Sequence, residues 1–433
     1  MKNLIEQTLI MLYFAKGSEN TDLTEEEIKE ALYSSFEKIG GKKKVLAIPP
    51  DFTRYHSRAG ELTRYTYHYY KDSLTDIIPA VGTHFSMSEK EIEIMFGDVP
   101  KSLFRVHKWK EDLTTLGVVP SEFINKVSEG KVNYKWTAQV NKLLVEGNFD
   151  LILSIGQVVP HEVIGMANHN KNIFIGVGGK DAIHKSHFLG AVYGMERIMG
   201  RTDTPVRKVL NYASENFAKH LPIIYVLTVI DKDEDDQLVM RGIYIGDDYE
   251  CFNLAAALSL KVNFNMLDEP LKKVVVYLDP LEFKSTWLGN KSVYRTRMAI
   301  ADNGELIVLA PGLREFGEDK GIDLLIRKYG YLTTPEILKL VEENDDLKNN
   351  LGAAAHLIHG SSENRFKITY CPGQISKENI ESVNYAYADL NQMMKKYNPE
   401  KLKDGYNILD GEEIFFISNP ALGLWSYKDN FKY

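Results

Sequence analysis

The chain has few cysteines, no long apolar run and no excess of positive charge, and each absence excludes a class of protein. Cys251 and Cys371 are the only cysteines among 433 residues, too few for a disulfide framework or a cysteine-based zinc site. No apolar run approaches the ~18 residues that a membrane-spanning helix needs. The net charge of −8 argues against nucleic-acid binding, which usually requires a basic excess. We therefore expect a cytoplasmic protein with neither membrane nor nucleic acid as a partner.

A short apolar stretch lies near the N-terminus, between Thr8 and Ala15. Glu6 and Gln7 interrupt its start, and no small-residue cleavage site follows it. A secretory signal peptide would need such a site. We interpret the stretch as an ordinary first structural element.

Several short apolar runs end at Gly, Pro or Asp, which is typical of buried strands. They occupy residues 44–51, 76–84, 149–157, 172–179, 272–280 and 304–312. Predicted helices lie between them, and one begins with a capping box formed by Ser88 and Glu91. Strands that alternate with helices predict an α/β fold with mainly parallel sheets. In such sheets, ligands bind at the carboxyl ends of the strands.

A change of pattern near residues 262–272 predicts two α/β domains. Before it, residues 221–247 predict a β-hairpin whose acidic tip, Asp231–Asp236, faces solvent. We predict an N-terminal domain over residues 1–268, which carries the cofactor and catalytic residues. A C-terminal domain over residues 269–433 would contribute substrate contacts, with the active-site cleft between the two. The last 35 or so residues could return to pack on the first domain.

Two loops that follow predicted strands carry residues suited to chemistry. Asp51 and Arg54 lie three residues apart, and arginine offers a planar fork for a carboxylate or a phosphate. The alternative is that Asp51 caps a turn while Arg54 pairs with a surface acid. His84 precedes the capped helix and could act as a general base near neutral pH. The alternative is a hydrogen-bonded loop histidine.

The segment Pro160–His187 concentrates histidines: it contains His161, His169, His184 and His187. Neutral imidazole is a good ligand for transition metals, yet the segment lacks an H-E-x-x-H pattern. Its glycine-rich part, residues 175–181, fits neither the P-loop nor the dinucleotide-binding fingerprint. We interpret His169 and His184 as ordinary polar residues. His107, His356 and His359 elsewhere in the chain are interpreted as structural.

A predicted helix around residues 292–301 belongs to the C-terminal domain. Tyr294 and Arg297 lie three residues apart and would share one face of it, and Lys291 and Arg295 lie in the same stretch. Tyr294 and Arg297 could point into the cleft and hold a carboxylate. The alternative is a solvated basic face.

Together these motifs resemble the nickel-pincer lactate racemase family, which consists of two-domain 2-hydroxyacid racemases and epimerases. Asp51 and Arg54 match its Asp-x-x-Arg loop, and residues 82–84 match its Gly-Thr-His motif. Its Pro-His motif is matched at residues 160–161, followed by Gly165. The resemblance covers residues 45 to 190, with weaker matching near residues 285–320.

The family also has a lysine ten residues after that histidine and a metal-binding histidine 16 residues further on. Lys171 and His187 occupy these positions. The resemblance implies that Lys171 carries a nickel-pincer nucleotide through a thioamide bond. This mononucleotide holds nickel through one carbon and two sulfurs, with His187 as the fourth ligand. Asp51 would help to hold the cofactor or the arginine.

The resemblance also implies an isomerase that inverts C2 of a 2-hydroxy acid by hydride transfer to the cofactor. His84 and His161 would be the acid/base residues, one on each face of the substrate. Arg54, Tyr294 and Arg297 would bind the substrate. The implied partners are this small acid and the enzymes that make the cofactor.

This sequence departs from the family pattern in two places. Asn168 and His169 replace the glycine pair before the lysine, and Tyr294 and Arg297 replace a Gln–Lys pair in the second domain. The second change favours a larger polyhydroxy acid, such as an aldonate, over lactate. The first leaves an alternative open, namely a divalent-metal or cofactor-free sugar-acid isomerase or lyase on the same scaffold.

Overall fold

Two six-stranded sheets organise the computed structural model, which describes residues 11–233 and 237–431. The first sheet draws its strands from residues 12–246, and the second from residues 271–417. Helices flank both sheets, and parallel strand pairs outnumber antiparallel ones in each. The predicted α/β fold with mainly parallel sheets is confirmed. The division into domains at residue 268 stays a prediction.

In the first sheet, the central strands are buried on both faces. Every residue of Val45–Ile48 and of Leu151–Gln157 is buried, as expected for parallel strands that are covered by helices. The two strands nearest one edge are antiparallel to their neighbours. From that edge the order is Leu12–Gly17, Leu238–Gly246, Ile223–Lys232, Leu151–Gln157, Val45–Ile48 and Leu74–Ile77.

In the second sheet, five strands are parallel and the last edge strand is antiparallel. The order is Ala386–Tyr387, Lys367–Pro372, Ile300–Ala310, Leu271–Tyr277, Glu412–Ile417 and Gly405–Leu409. One continuous cluster of buried apolar side chains includes residues of both sheets, such as Leu46 and Val274. The two halves of the chain therefore share a packed interface.

The remaining strands form three two-stranded sheets. Leu113–Val119 pairs with Trp136–Asn141, and Pro160–His161 pairs with Gly165–Met166. Phe264–Leu267 pairs in parallel with Leu424–Tyr427. The C-terminal residues reach the first half of the chain, since the guanidinium of Arg201 lies 4.3 Å from the ring centre of Phe431.

The longer helices surround these sheets, and some of them begin with a capping box. Thr24 and Glu27 form a capping box at the start of the first helix, and Ser88 and Glu91 form the one expected from the sequence. The α-helices are Glu25–Ile39, Ala59–Tyr70, Glu89–Phe96, Ser121–Val127, Leu143–Glu146, Lys180–Tyr193, Pro205–Phe217, Tyr249–Val262, Thr286–Gly289, Lys291–Tyr294, Lys320–Tyr329, Thr334–Glu343, Asp345–Lys348, Leu351–His359, Lys377–Ser382 and Leu390–Lys396. Short 3-10 helices cover Phe52–Ser57, Lys71–Ser73, Lys101–Leu103, Met195–Arg197 and Lys428–Asn430.

Two predicted elements are wrong. The apolar run at residues 172–179 is not a strand but a single π-helical turn, Asn172–Gly176, because a short buried run has the same composition in either form. The helix predicted near residues 292–301 stops at Tyr294, and a strand already begins at Ile300.

The predicted hairpin is present as the antiparallel pair Ile223–Lys232 and Leu238–Gly246. Part of its acidic tip, residues 234–236, lies outside the described residues, as does the start of the apolar stretch near the N-terminus. The first described strand is Leu12–Gly17. In the part of the chain that the structure describes, no helix is long and apolar enough to cross a membrane.

Candidate functional site

A cavity lies where the strands of the first sheet end, and the second half of the chain forms its opposite wall. Loops after Val45–Ile48, Leu74–Ile77 and Leu151–Gln157 line one side. Residues 287–294 and the helix Leu351–His359 line the other. Seven of the eight predicted site residues line this cavity: Asp51, Arg54, His84, His161, Lys171, His187 and Tyr294.

Asp51, which is buried, and His84, which is partly exposed, form a pair at the edge of the cavity. Nδ1 of His84 lies 2.7 Å from Oδ2 of Asp51, while Oδ1 of Asp51 accepts hydrogen bonds from the backbone and hydroxyl of Thr53. Burial alone would raise the pKa of Asp51, but the charge and hydrogen bond of His84 hold it below its usual value. Burial disfavours the charged form of His84, yet the Asp51 carboxylate raises its pKa above the ordinary value. Asp51 therefore fixes the ring and favours a proton on Nδ1.

His161 lies in the short strand Pro160–His161 and has the opposite arrangement. Its Nδ1 accepts a hydrogen bond of 3.1 Å from the backbone N–H of Val163, so the neutral ring carries its proton on Nε2. The side chain is buried, and burial holds the pKa of His161 well below its usual value. His161 is therefore neutral, with one nitrogen already used and one left for a ligand.

Glu162 follows His161 and was not singled out by its sequence pattern. Its carboxylate is largely buried, lines the cavity and lies 3.5 Å from Nδ1 of His161. Burial would raise the pKa of Glu162, but the positive charge of Arg295 lowers it. The cavity thus contains a permanent negative charge beside one of the two imidazoles.

Lys171 lies just before the π-helical turn and reaches into the cavity. Burial, and then the positive charge of Arg54, lower the pKa of the Lys171 amine to about 8. Asn172 anchors the turn, since its side-chain amide donates to the backbone oxygen of Ile48. A lysine with a lowered pKa is partly neutral near physiological pH and can act as a nucleophile.

The residues before Lys171 keep a backbone conformation that glycine usually adopts. Asn168 and His169 have φ values of 63° and 58°, in the left-handed region. Asn168 supports this conformation because its Oδ1 accepts the N–H of His169. Asn168 lines the cavity, whereas the His169 ring packs 3.9 Å from that of Tyr225, away from it. Asn168 and His169 therefore adopt a backbone conformation that would equally suit glycine.

His187 projects into the cavity from the helix Lys180–Tyr193. Its Nδ1 lies 2.6 Å from the backbone oxygen of Ile183, one turn earlier. This hydrogen bond places the proton of the neutral ring on Nδ1 and leaves the Nε2 lone pair available. Burial lowers the pKa of His187 to about 4, so the ring stays neutral. His184 on the same helix does not line the cavity.

The glycines around residue 176 have separate roles. Gly176 lines the cavity, and its carbonyl accepts the N–H of Gly82, which also lines it. A side chain at Gly178 would meet the carbonyl of Phe174 at 1.8 Å, and one at Gly179 would meet the Gln139 side chain. A side chain at Gly176 would itself meet that of Ala80 at 2.7 Å, so all three glycines allow close packing, and Gly176 also borders the cavity.

Arg297, a predicted substrate-binding residue, is the one predicted site residue that does not line the cavity. Its Nε lies 2.7 Å from Oε1 of Glu196, and its Nη1 donates to the backbone oxygen of Ser361. The helix ends at Tyr294, before it reaches Arg297. The two residues therefore do not share one helix face as predicted.

Lys291 lies in the cavity, one turn before Tyr294. Burial, and then the charge of Arg54, lower its pKa to about 8. Its Nζ is 3.7 Å from Oε1 of Glu282, which is beyond hydrogen-bond distance. On the facing loop, Nη1 of Arg54 is buried without a hydrogen-bond partner among the described residues. Two cations therefore face one space that can accept an anion.

Comparisons with known proteins relate this chain to the lactate racemases. Residues 2–198 match the family model of the lactate racemase N-terminal domain. A search of curated proteins found no match.

Two solved structures share the fold over nearly the whole chain. A crystal structure of a protein from Thermotoga maritima is 26% identical, with a TM-score of 0.81, and the match covers 94% of this chain and 99% of that one. The lactate racemase apoprotein from Thermoanaerobacterium thermosaccharolyticum is 18% identical, with a TM-score of 0.67, and the match covers 95% of this chain and 93% of that one. The resemblance to lactate racemases that the sequence motifs predicted is confirmed.

Proposed function

Because residues 2–198 of this chain match the family model of the lactate racemase N-terminal domain, we propose that the protein is a racemase or epimerase of a 2-hydroxy acid. The observation that carries the proposal is the pair of imidazoles, His84 and His161, which line one cavity. Nδ1 of His84 binds a carboxylate, whereas Nδ1 of His161 accepts a backbone N–H. An acid/base group on each side of the substrate could take the hydroxyl proton before C2 is inverted and return it afterwards.

The two histidines suit opposite proton-transfer roles. In its neutral form His84 keeps a proton on Nδ1, bound to Asp51, so that Nε2 can accept the proton of the substrate hydroxyl. In its neutral form His161 keeps its single proton on Nε2, because Nδ1 accepts from Val163. It would act as the acid after gaining a second proton on Nδ1, beside the Glu162 carboxylate, so that loss of the Nε2 proton leaves a neutral ring. Each histidine would take the other role when the reaction runs in reverse.

The residues around Lys171 and His187 fit a nickel-pincer nucleotide. Lys171 offers an amine with a lowered pKa for a thioamide link, and His187 offers Nε2 because its Nδ1 is bound to a backbone carbonyl. Gly82 and Gly176 present bare backbone to the cavity beside them. When bound, the cofactor would supply an acceptor for the hydride of substrate C2. The enzymes that build it would be partners of this chain.

The proposal requires the cofactor to bring most of the nickel ligands. Among residues 11–233 and 237–431, no group of three or more His, Cys, Asp or Glu side chains is placed to hold a metal ion. Sulfur donors from the nucleotide together with one imidazole would suit Ni(II).

We propose that Arg54 and Lys291, rather than Arg297, hold the substrate carboxylate. Both cations line the cavity from opposite sides, whereas Arg297 is engaged with Glu196 outside it. Tyr294, also in the cavity wall, would contact the same substrate. Arginine can bind a carboxylate with two parallel hydrogen bonds, and lysine adds a point charge.

The preferred substrate is a polyhydroxy acid such as an aldonate. The cavity contains several hydrogen-bonding groups beyond those needed for a carboxylate and one hydroxyl, among them Gln157, Glu162 and His359. Lactate has only a methyl group to place beside them, and it would leave buried polar atoms without partners.

One experiment separates this proposal from an ordinary isomerase or lyase. The protein is produced together with the cofactor-building enzymes and nickel, then incubated with acids that carry deuterium at C2. Hydride transfer predicts an epimerised product that retains deuterium, whereas proton abstraction by a base would release it to solvent. A protein that gains no adduct on Lys171 and converts no acid would contradict the proposal.

A further inference from the structure

His359 lines the cavity but has no role in the proton transfer, cofactor binding or carboxylate binding proposed for its neighbours. It ends the helix Leu351–His359, which packs against the helix that carries His187. The side chain is 3% exposed, and its Nε2 is buried without a hydrogen-bond partner among the residues described. Buried polar atoms in native proteins are nearly always hydrogen-bonded, so an unpaired one in a cavity wall calls for a ligand.

The neighbouring histidine on the same helix shows the contrast. His356 also lines the cavity, but its Nε2 lies 2.8 Å from the hydroxyl of Tyr331. Its ring packs 4.7 Å from that of Trp287. The protein itself therefore satisfies His356, while it leaves Nε2 of His359 open.

The surroundings of His359 select the kind of group that it can bind. Its ring centre is 6.2 Å from that of Tyr294, and the Glu162 carboxylate is the charge that acts on it most strongly. Burial lowers the pKa of His359 to about 3, so the ring is neutral. A neutral imidazole beside a carboxylate disfavours a second anion and suits a hydroxyl, which can both donate and accept.

We propose that His359 determines substrate specificity by hydrogen bonding, through Nε2, a hydroxyl that lies beyond C2 of the substrate. This inference rests on the proposed function, in which Arg54 and Lys291 take the carboxylate while His84 and His161 take the C2 hydroxyl. The hydroxyl that remains for His359 is one that polyhydroxy acids have and simple 2-hydroxy acids lack.

The test compares D-gluconate with 2-hydroxybutanoate, which has no hydroxyl beyond C2. For the cofactor-loaded wild type we expect a higher kcat/KM with gluconate. His359→Phe removes the nitrogen and keeps a ring beside Tyr294. It should lower kcat/KM for gluconate about tenfold to a hundredfold and change that for 2-hydroxybutanoate less than about threefold. His359→Gln keeps hydrogen-bonding groups and should restore part of the loss.

His184→Phe is the matched control, since His184 is a buried histidine whose Nε2 also has no partner among the described residues but does not line the cavity. His184→Phe should change kcat/KM for both acids by the same factor. The inference would be overturned if His359→Phe lost kcat/KM equally for both acids. It would also be overturned if the wild type had a higher kcat/KM with 2-hydroxybutanoate than with gluconate.

Binding to the apoprotein, measured by titration calorimetry, keeps this result separate from that of the proposed function. His359→Phe should raise the Kd of gluconate at least fivefold and leave that of 2-hydroxybutanoate unchanged. A loaded wild type that epimerises neither acid would contradict the proposed function, and the calorimetry would still decide the inference. Equal Kd changes for both acids would count against His359 as the hydroxyl-binding residue.

Discussion

Nδ1 of His84 lies 2.7 Å from Oδ2 of Asp51, and this contact joins two loops that follow neighbouring strands of the first sheet. The residues are 33 positions apart in the sequence, so only the parallel pairing of Val45–Ile48 with Leu74–Ile77 brings them together. The pair fixes the orientation and the tautomer of an imidazole at the cavity edge.

Replacing Asp51 by Asn should shift the pH dependence of the reaction. The Asp51 charge raises the pKa of His84, so its removal should lower that pKa. The limb of the pH–rate profile that belongs to His84 should therefore move to lower pH, and kcat should fall roughly a hundredfold. Thr53→Val, which removes a hydrogen bond to the other Asp51 oxygen, should move the limb much less. An unchanged profile in the Asp51 variant would show that the pair does not control His84.

Replacing Lys171 by Arg should abolish covalent attachment of the cofactor. Arginine keeps the positive charge but has no amine for a thioamide link. Intact-protein mass spectrometry after co-production with the cofactor-building enzymes should show an adduct on the wild type and none on this variant. Lys180→Arg provides the control, because Lys180 is exposed at the start of the next helix. An adduct that survives in Lys171→Arg would place the link elsewhere.

Replacing His187 by Ala should separate metal binding from cofactor attachment. The variant removes the proposed nickel ligand and leaves the Lys171 amine in place. We expect the mass of the organic adduct to be retained while the nickel content, measured by elemental analysis, falls at least severalfold. His184→Ala on the same helix should retain both. Full nickel occupancy without His187 would mean that another group supplies the ligand.

The order of the motifs pointed to residues that the fold brings to one cavity. Six predicted residues in the N-terminal half line one cavity, because each follows a strand of the same sheet or lies on the segment that crosses their carboxyl ends. The strand predicted at residues 172–179 was wrong, because a short apolar run does not distinguish a strand from a helical turn.

The sequence predicted the cavity residues of the C-terminal half less well, for a physical reason. Its contribution depends on where a short helix ends, and helix ends are the least predictable part of an element. Lys291 and Tyr294 also lie three residues apart, so the spacing that suggested Tyr294 and Arg297 fits them equally well. No local pattern marks His359, since its importance comes from an unpaired nitrogen that only the packed structure shows.

Lys291 and Arg297 therefore provide a direct comparison. Lys291→Met should raise KM for the acid substrate about tenfold to a hundredfold, because a charged hydrogen bond of ~1.5–3 kcal/mol to the carboxylate is lost. Arg297→Gln should leave KM within about twofold, because Arg297 contacts Glu196 and the backbone of Ser361 outside the cavity. Steady-state kinetics of the cofactor-loaded variants measures both values. A large KM effect in Arg297→Gln alone would restore the assignment made from the sequence.

His107 should make the folded protein less stable in mild acid. It is 3% exposed, its Nε2 lies 3.0 Å from the backbone oxygen of Gly178, and its Nδ1 lies 3.0 Å from Nδ2 of Asn141. Burial lowers its pKa to about 4, against about 6.5 for an unfolded histidine. Between these values the unfolded state binds a proton that the folded state does not, so stability falls as the pH falls.

The expected contribution of His107 is at most about 1.4 kcal/mol per pH unit in that window. Urea unfolding between pH 7 and pH 4.5 should show a shallower dependence of the free energy of unfolding on pH in His107→Gln than in the wild type. His220→Gln, at an exposed position, should keep the wild-type slope. Equal slopes in all three proteins would mean that the His107 ring gains a proton in the folded state as easily as in the unfolded chain.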